Sequence, residues 1–285
     1  MAERETAQGV LEDDRRGQVM PTNIEWAEET WNPITGCSQI SEGCANCYAA
    51  RMANRLRGRC GYDNDEPFRV TVHLDRFDMP ERWRKRRHVF VCSMGDLCHE
   101  DVPLYAWDKV TDAMRQAPQH TYILLTKRPS RLYEFAQRYV QRTTDQIPAN
   151  WWLGVTAENQ ERANERIPIL LQIPAAVRFV SVEPMLGPVD LSEVPGLYQG
   201  DGHDMPWLKK DTLHWVICGG ETGPKARRME YEWADGLRGQ CEAEGVPFFF
   251  KKPGSAAKAL GLWPRLESVR QFPITAVEQP HRRNP

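Results

Sequence analysis

TYILLTKRPSRLYEFAQRYVQR, residues 121–142, changes character near its middle. The first six residues form an unbroken apolar and β-branched run, which reads as a strand buried on both faces. Thr126-Lys127-Arg128 then turns polar, and Pro129 opens a stretch with helical spacing, a position where proline suits the first helical turn. A strand, a polar corner and a helix make one βα unit.

The same unit recurs on both sides. Further strand candidates are HVFVCSM (88–94), WWLGVTA (151–157), VRFVSVEP (177–184), HWVICGGE (214–221) and VPFFFKK (246–252). Helix candidates are CYAARMANRLRG (47–58), LYAWDKVTDAMRQA (104–117), ENQERANERIPILLQ (158–172) and MEYEWADGLRGQCEAEG (229–245), the last stopping at Gly245. Strands apolar along their whole length, alternating with helices, predict parallel pairing with helical crossovers. The expected fold is α/β, a full or partial (β/α) barrel. Residues 1–21 read as a flexible tail and 22–254 as the barrel-like domain. Residues 255–285 read as an extension packing on it, with a loose basic end, QPHRRNP.

With 285 residues, 41% of them hydrophobic, the chain can bury a sizeable core. Its longest apolar runs are of strand length, far below the roughly 20 residues of a membrane span. The N-terminus is charged from its third residue and lacks an apolar signal region, which predicts a cytoplasmic protein. In that reducing compartment the eight cysteines point to metal binding or chemistry before disulfides. A net charge of −2 supplies no global pull towards nucleic acid, so any such binding must be local.

Polar residues gather where the strand candidates end: Ser93 and Asp96, Thr126 to Arg128, Thr156 with Glu158, Glu183-Pro184, and Gly219-Gly220-Glu221. Barrel enzymes build their sites at that rim, where the loops leaving the strands converge. Glu183 and Glu221 each end an apolar strand and need cationic or hydrogen-bonding partners if buried. Arg227 and Arg228 follow closely on the second.

Ahead of the strand candidate at 88–94, TWNPITGCSQISEGCANCYAA (30–50) places Cys37, Cys44 and Cys47 in one C-x6-C-x2-C loop, with Gly36 and Gly43 directly before two of the thiols. A structural zinc would need a fourth ligand, for which Cys60, Cys92, Cys98 and His99 are available. A four-iron cluster on three cysteines would keep one iron without a protein ligand, open to a cofactor such as S-adenosylmethionine.

These features together resemble the radical S-adenosylmethionine superfamily. More narrowly, TWNPITGC, SEGCANCYAARMA, LLTKRP, GVTAENQ, VSVEPMLGPVDL, CGGETGPKARRM and VPFFFKKPG resemble, over residues 22–273, a phage-associated protein family of largely unassigned function, distantly similar to spore photoproduct lyase. The first cysteine gap is six residues where three is commonest, and Asn46 stands where superfamily members often carry an aromatic. The resemblance implies a [4Fe-4S] cluster on Cys37, Cys44 and Cys47, with S-adenosylmethionine held by Tyr48, Ser93, Asp96, Lys127, Thr156 and Glu158. Asp96 would accept from the cofactor ammonium, Lys127 or Arg128 would meet a carboxylate or phosphate, and Thr156, Glu158 and Asn159 would face ribose hydroxyls. Cys98, Glu183 and Glu221 are the catalytic candidates, Cys98 as a hydrogen-atom donor alongside Cys92 and Cys218.

ERWRKRRH (81–88) offers Arg82, Arg84, Lys85, Arg86 and Arg87 around Trp83, a pattern suited to phosphates and base stacking. Arg51, Arg55, Arg57 and Arg59 lie on or near the helix after the cysteines. The leading expectation is a radical S-adenosylmethionine-type iron-sulfur enzyme acting on a nucleic-acid base or nucleotide. The alternatives are a zinc-stabilised nucleic-acid-binding protein without catalysis, or a relative whose cluster is structural.

Overall fold

The βα units form as the patterning demands. Strands run β1 (Glu29–Trp31), β2 (Ile34–Thr35), β3 (Thr71–Val72), β4 (His88–Val91), β5 (Thr121–Thr126), β6 (Trp151–Thr156), β7 (Val177–Val182), β8 (Trp215–Cys218) and β9 (Phe248–Phe250). Helices run α1 (Tyr48–Arg55), α2 (Leu104–Gln116), α3 (Pro129–Thr143), α4 (Gln160–Leu171), α5 (Tyr231–Ala243) and α6 (Trp263–Glu267). This computed structural model describes residues 24–192, 208, 212–257 and 263–273; the expected N-terminal tail and basic C-terminal end lie outside the described residues.

Seven strands form one wholly parallel sheet in the order β1-β4-β5-β6-β7-β8-β9. β1 and β9 are its edges, so this is an open, partial (β/α) barrel. β2 and β3 form a separate antiparallel ribbon. Among the described residues no helix is long and apolar enough to cross a membrane.

Alternate strand residues enter two different cores, as a period-2 chain requires. Val91, Leu124, Leu153, Val180, Val216 and Phe250 pack outward against helical residues such as Leu132, Phe135, Ile167 and Leu237. Phe135 meets Trp107 edge-on with ring centres 5.6 Å apart, and Tyr139 lies 4.7 Å from Trp151. The other face carries Ile123, Trp152, Phe179, Trp215 and Phe249 together with Trp26, with no helical residue among them. These rings fill the lower interior, centred on Trp215, which contacts Trp152 at 5.7 Å and Phe179 at 5.6 Å. Only the end where the strands finish is left for polar groups.

Two sets of contacts span the gap between the edge strands. Near the strand starts, Arg270 pairs with Glu25, and Phe249 bridges to Arg270 beside β9. Near the strand ends, Asn46 donates to Glu221 at 2.9 Å and to the Lys225 carbonyl at 3.1 Å, while Arg51 donates to the Thr222 carbonyl at 3.0 Å. The cysteine loop thus reaches across the open barrel to the far strands.

Candidate functional site

The loop from Gly36 to Cys47 lies over the strand ends, and the rim grips it from several sides. Gly36 donates to the Met94 carbonyl at 3.0 Å, and Cys37 to the Phe68 carbonyl at 3.1 Å. A side chain at Gly36 would collide with the Arg69 backbone at 2.1 Å, and its φ of +88° also demands glycine. The Glu42–Cys44 segment is a short 3-10 turn, after which Cys47 enters α1.

β5 supplies two cations. Lys127 Nζ sits 2.7 Å from Glu158 Oε1 and 3.6 Å from Cys44 Sγ. Arg128 donates to Cys37 Sγ at 3.3 Å, to Asp96 Oδ2 at 3.0 Å, to both Glu100 oxygens at 3.0 and 2.8 Å, and to Ser38 Oγ at 2.9 Å. β6 supplies Glu158, 0% exposed, which accepts from Ser41 Oγ at 2.5 Å and from Arg166 at 2.9 Å. Asn159 caps α4 by accepting from the Arg162 N–H at 3.0 Å and donates to Glu42 at 2.5 Å. β8 supplies Glu221, which accepts from Arg227 through its backbone N–H at 2.7 Å and its guanidinium at 2.9 and 2.5 Å.

Electrostatics follow from these partners. Burial pushes the Cys37 thiol up, with the Asp96 carboxylate adding to the rise, to about 12. Burial also opposes ionisation of Cys44, yet Lys127 and hydrogen bonds from the loop hold its pKa below the ordinary thiol value. Burial would raise Glu158 too, but Lys127 and Arg166 lower it. Glu221 is held at about 2, because the Arg227 and Asn46 hydrogen bonds outweigh its burial.

Several expected roles are taken by the protein itself. Asp96 accepts from the Thr126 hydroxyl, the Cys98 N–H and Arg128, so its oxygens anchor Arg128 instead of standing open for an ammonium. Lys127 and Glu158 neutralise each other beneath the loop, and Glu221 clamps it through Asn46. Cys98 is 1% exposed and packed into the helix-side core directly beneath the rim residues Asp96 and Thr126, and burial raises its thiol pKa strongly, so its thiol does not stand open in the mouth. Cys92 and Cys218 are likewise buried there. Glu183 meets Lys251 at 2.8 Å, an ion pair joining the ends of β7 and β9 on the same rim. Ser93 donates to Asn32 at 3.2 Å, Thr156 is buried at the end of β6, and Tyr48 is 58% exposed.

The basic run needs a correction at its aromatic, while Arg84, Lys85 and Arg86 are exposed. It precedes β4, at the end of the sheet opposite the strand termini. Trp83 is 7% exposed, set edge-on to His120 at 5.7 Å and under the Arg87 guanidinium, so it has no face for a base. Arg82 pairs with Asp78 at 2.5 Å and Arg87 with Glu29. Arg55, Arg57 and Arg59, on or just after α1, are exposed, and Arg57 lines a surface cleft together with Cys37 and Ser38.

Cys37, Cys44 and Cys47 are free and half-buried. Among the described residues, no three His, Cys, Asp or Glu side chains converge as the ligands of one metal ion. A tetrahedral zinc needs its ligands to meet at one centre, whereas each thiolate of a four-iron cluster binds a different iron. Of the fourth-ligand candidates, His99 uses both ring nitrogens, Nε2 with Ser38 Oγ at 2.8 Å and Nδ1 with the Asp101 N–H at 3.1 Å. Cys92 and Cys98 are buried, and Cys60 packs against a small cluster of Ala53, Leu56 and Tyr62.

Ser38, Ser41, Arg166 and Lys251 belong to this site and were not singled out from sequence. Arg166 had a signal: it shares the helical row of Ala163, Ile167 and Leu170, and a charge on a core-facing row implies a buried partner. Lys251 follows FFF at a strand end, as the other rim residues follow their strands.

The fold and site define a parallel α/β half-barrel whose mouth is crossed by a three-cysteine loop. The chain belongs to the family described as "Protein of unknown function (DUF5131)", whose profile matches residues 21–274. No curated protein matches it. Solved structures of spore photoproduct lyase are similar at low identity. The form complexed with dinucleoside spore photoproduct is 13% identical, covering 83% of this chain and 80% of that chain with a TM-score of 0.48. A cysteine-to-alanine mutant is 12% identical, covering 84% and 81%, with a TM-score of 0.47.

Proposed function

We propose that Cys37, Cys44 and Cys47 hold a [4Fe-4S] cluster, each thiolate on one iron, and that the fourth iron is left to S-adenosylmethionine. The observation that carries this reading is the convergence of the β4, β5, β6 and β8 ends on one loop, with N–H donors from Lys127 and Arg128 directed at two of its three thiols. Cationic donors suit thiolates that carry iron, since hydrogen bonds to the sulfurs are a principal means of tuning such centres. When bound, the cluster supplies the electron that cleaves S-adenosylmethionine to a carbon radical.

The chain's residues divide the remaining work. Lys127, Glu158 and Ser41 fix the Cys44 turn, Arg128 and Ser38 fix Cys37, and Asn46 with Glu221 fixes the approach to Cys47. Ser93, Thr156, Tyr48 and the Glu183–Lys251 pair remain to contact the polar groups of the cofactor. The substrate is assigned to nucleic acid or a nucleotide, with the exposed Arg55, Arg57 and Arg59 offered to phosphates and Arg57 beside Cys37 and Ser38.

Anaerobic purification tests the reading. The protein should be brown, with about four irons and matching sulfide per chain, and alanine at any of the three cysteines should strip them. A colourless protein carrying zinc would overturn the proposal.

A further inference from the structure

Arg128 is held more tightly than a surface cation needs to be. It is 5% exposed, and all three guanidinium nitrogens are used: Nε on Glu100, Nη1 shared by Asp96 and Cys37 Sγ, and Nη2 on Ser38 Oγ and, at 3.3 Å, the Ser38 carbonyl. Its backbone N–H also donates to Thr126 Oγ1 at 3.0 Å, and Thr126 in turn donates to Asp96. The planar fork therefore has one orientation, with one N–H fixed on the first thiol of the trio.

We infer that Arg128 is a positioning residue that holds Cys37 and raises the reduction potential of the cluster, an inference that rests on the cluster reading above. Reduction adds negative charge to the centre, and a nearby positive charge or a hydrogen bond to a ligand sulfur favours the reduced state. Arginine keeps its proton at every working pH, so this influence does not lapse. Low exposure strengthens it, because little water screens the contact. Asp96 makes the dependence sharper. Its buried carboxylate lies behind the guanidinium, and without the cation it would face the centre uncompensated. Lys127 is a weaker candidate, since its nitrogen is 3.6 Å from sulfur where that of Arg128 is 3.3 Å, and a single ammonium lacks the fork that fixes the Arg128 N–H on its thiol.

The test is a redox titration followed by electron paramagnetic resonance on anaerobically loaded wild type, Arg128→Gln and Arg128→Lys. Gln removes the charge, and Lys keeps it without the fork. The Gln variant should be harder to reduce by about tenfold in equilibrium constant, which is about 59 mV for one electron, with Lys between it and wild type. A wild-type potential in the iron-loaded Gln variant overturns the inference. If Gln fails to load iron, Lys decides by the same titration: a lowered potential supports the inference and an unchanged one overturns it. Loss of the cluster from both variants overturns it too, because a group needed merely to assemble the site sets no potential. A wild type without a cluster sinks the underlying reading instead.

Discussion

Glu158 accepts a 2.5 Å hydrogen bond from Ser41, which lies 117 positions earlier in the chain. That contact, with the Lys127 and Arg166 ion pairs on the same carboxylate, seats the cysteine loop on the end of β6. Gly43 makes the approach possible, because a Cβ there would stand 2.3 Å from Glu158 Oε1. Gly43→Ala should therefore cost about 1–3 kcal/mol in urea denaturation, the usual penalty of forcing a methyl into a packed site. Wild-type stability in this variant would contradict the seating.

The Asn46–Glu221 latch should be visible in hydrogen exchange. Replacing Glu221 with Gln removes the charge that Arg227 and Asn46 share. Losing a charge-assisted bond worth about 1.5–3 kcal/mol should speed amide exchange across residues 41–47 by roughly ten- to a hundredfold, while the β5 and β6 amides stay protected. Equal speeding everywhere would mean global destabilisation and no latch.

His73 gives a pH dependence with a definite sign. Its Nε2 lies 2.8 Å from Thr35 Oγ1 at the start of the loop, and burial, with Arg76 nearby, lowers its pKa from 6.5 to about 4 against the opposing pull of Asp75. The folded protein disfavours the imidazolium, so the unfolded chain takes up the proton first. Stability is full above pH 6.5 and is lost as pH falls towards 4, by at most about 3 kcal/mol. Against His73→Gln, the stability advantage of wild type should shrink across that window. A constant gap would show that His73 titrates normally.

Trp83 should behave as core. Trp83→Ala is expected to cost about 3–5 kcal/mol, as large aromatic truncations do. In a polynucleotide-binding assay at low salt, replacing Arg55, Arg57 and Arg59 together should weaken binding more than replacing Arg84 and Lys85. The reverse order would return the nucleic-acid surface to the 81–88 run.

The parallel half-barrel was legible because its strands are buried on both faces and its helices carry a clear apolar row; β5 running through Thr126 to α3 at Pro129 shows both features in one segment. β1 was not among the strand candidates, since Glu29–Trp31 is too short to show a period. The three cysteines were legible as a set because spacing within one loop is local information. What grips them was not. Asp96, Lys127, Glu158 and Glu221 were recognised as rim residues, but whether a carboxylate faces a ligand or a cation from another strand depends on contacts across 30 to 175 positions. Trp83 was misread for a related reason: a basic run looks exposed in one dimension, and nothing local reveals that its aromatic turns inward against His120.

The most direct test is product formation. Reduced, iron-loaded protein incubated anaerobically with S-adenosylmethionine should release 5'-deoxyadenosine detectable by mass spectrometry, and the Cys44→Ala variant should release none. A wild-type protein that carries its full iron and sulfide yet yields no 5'-deoxyadenosine would contradict the account and leave the cluster a purely structural part of the fold.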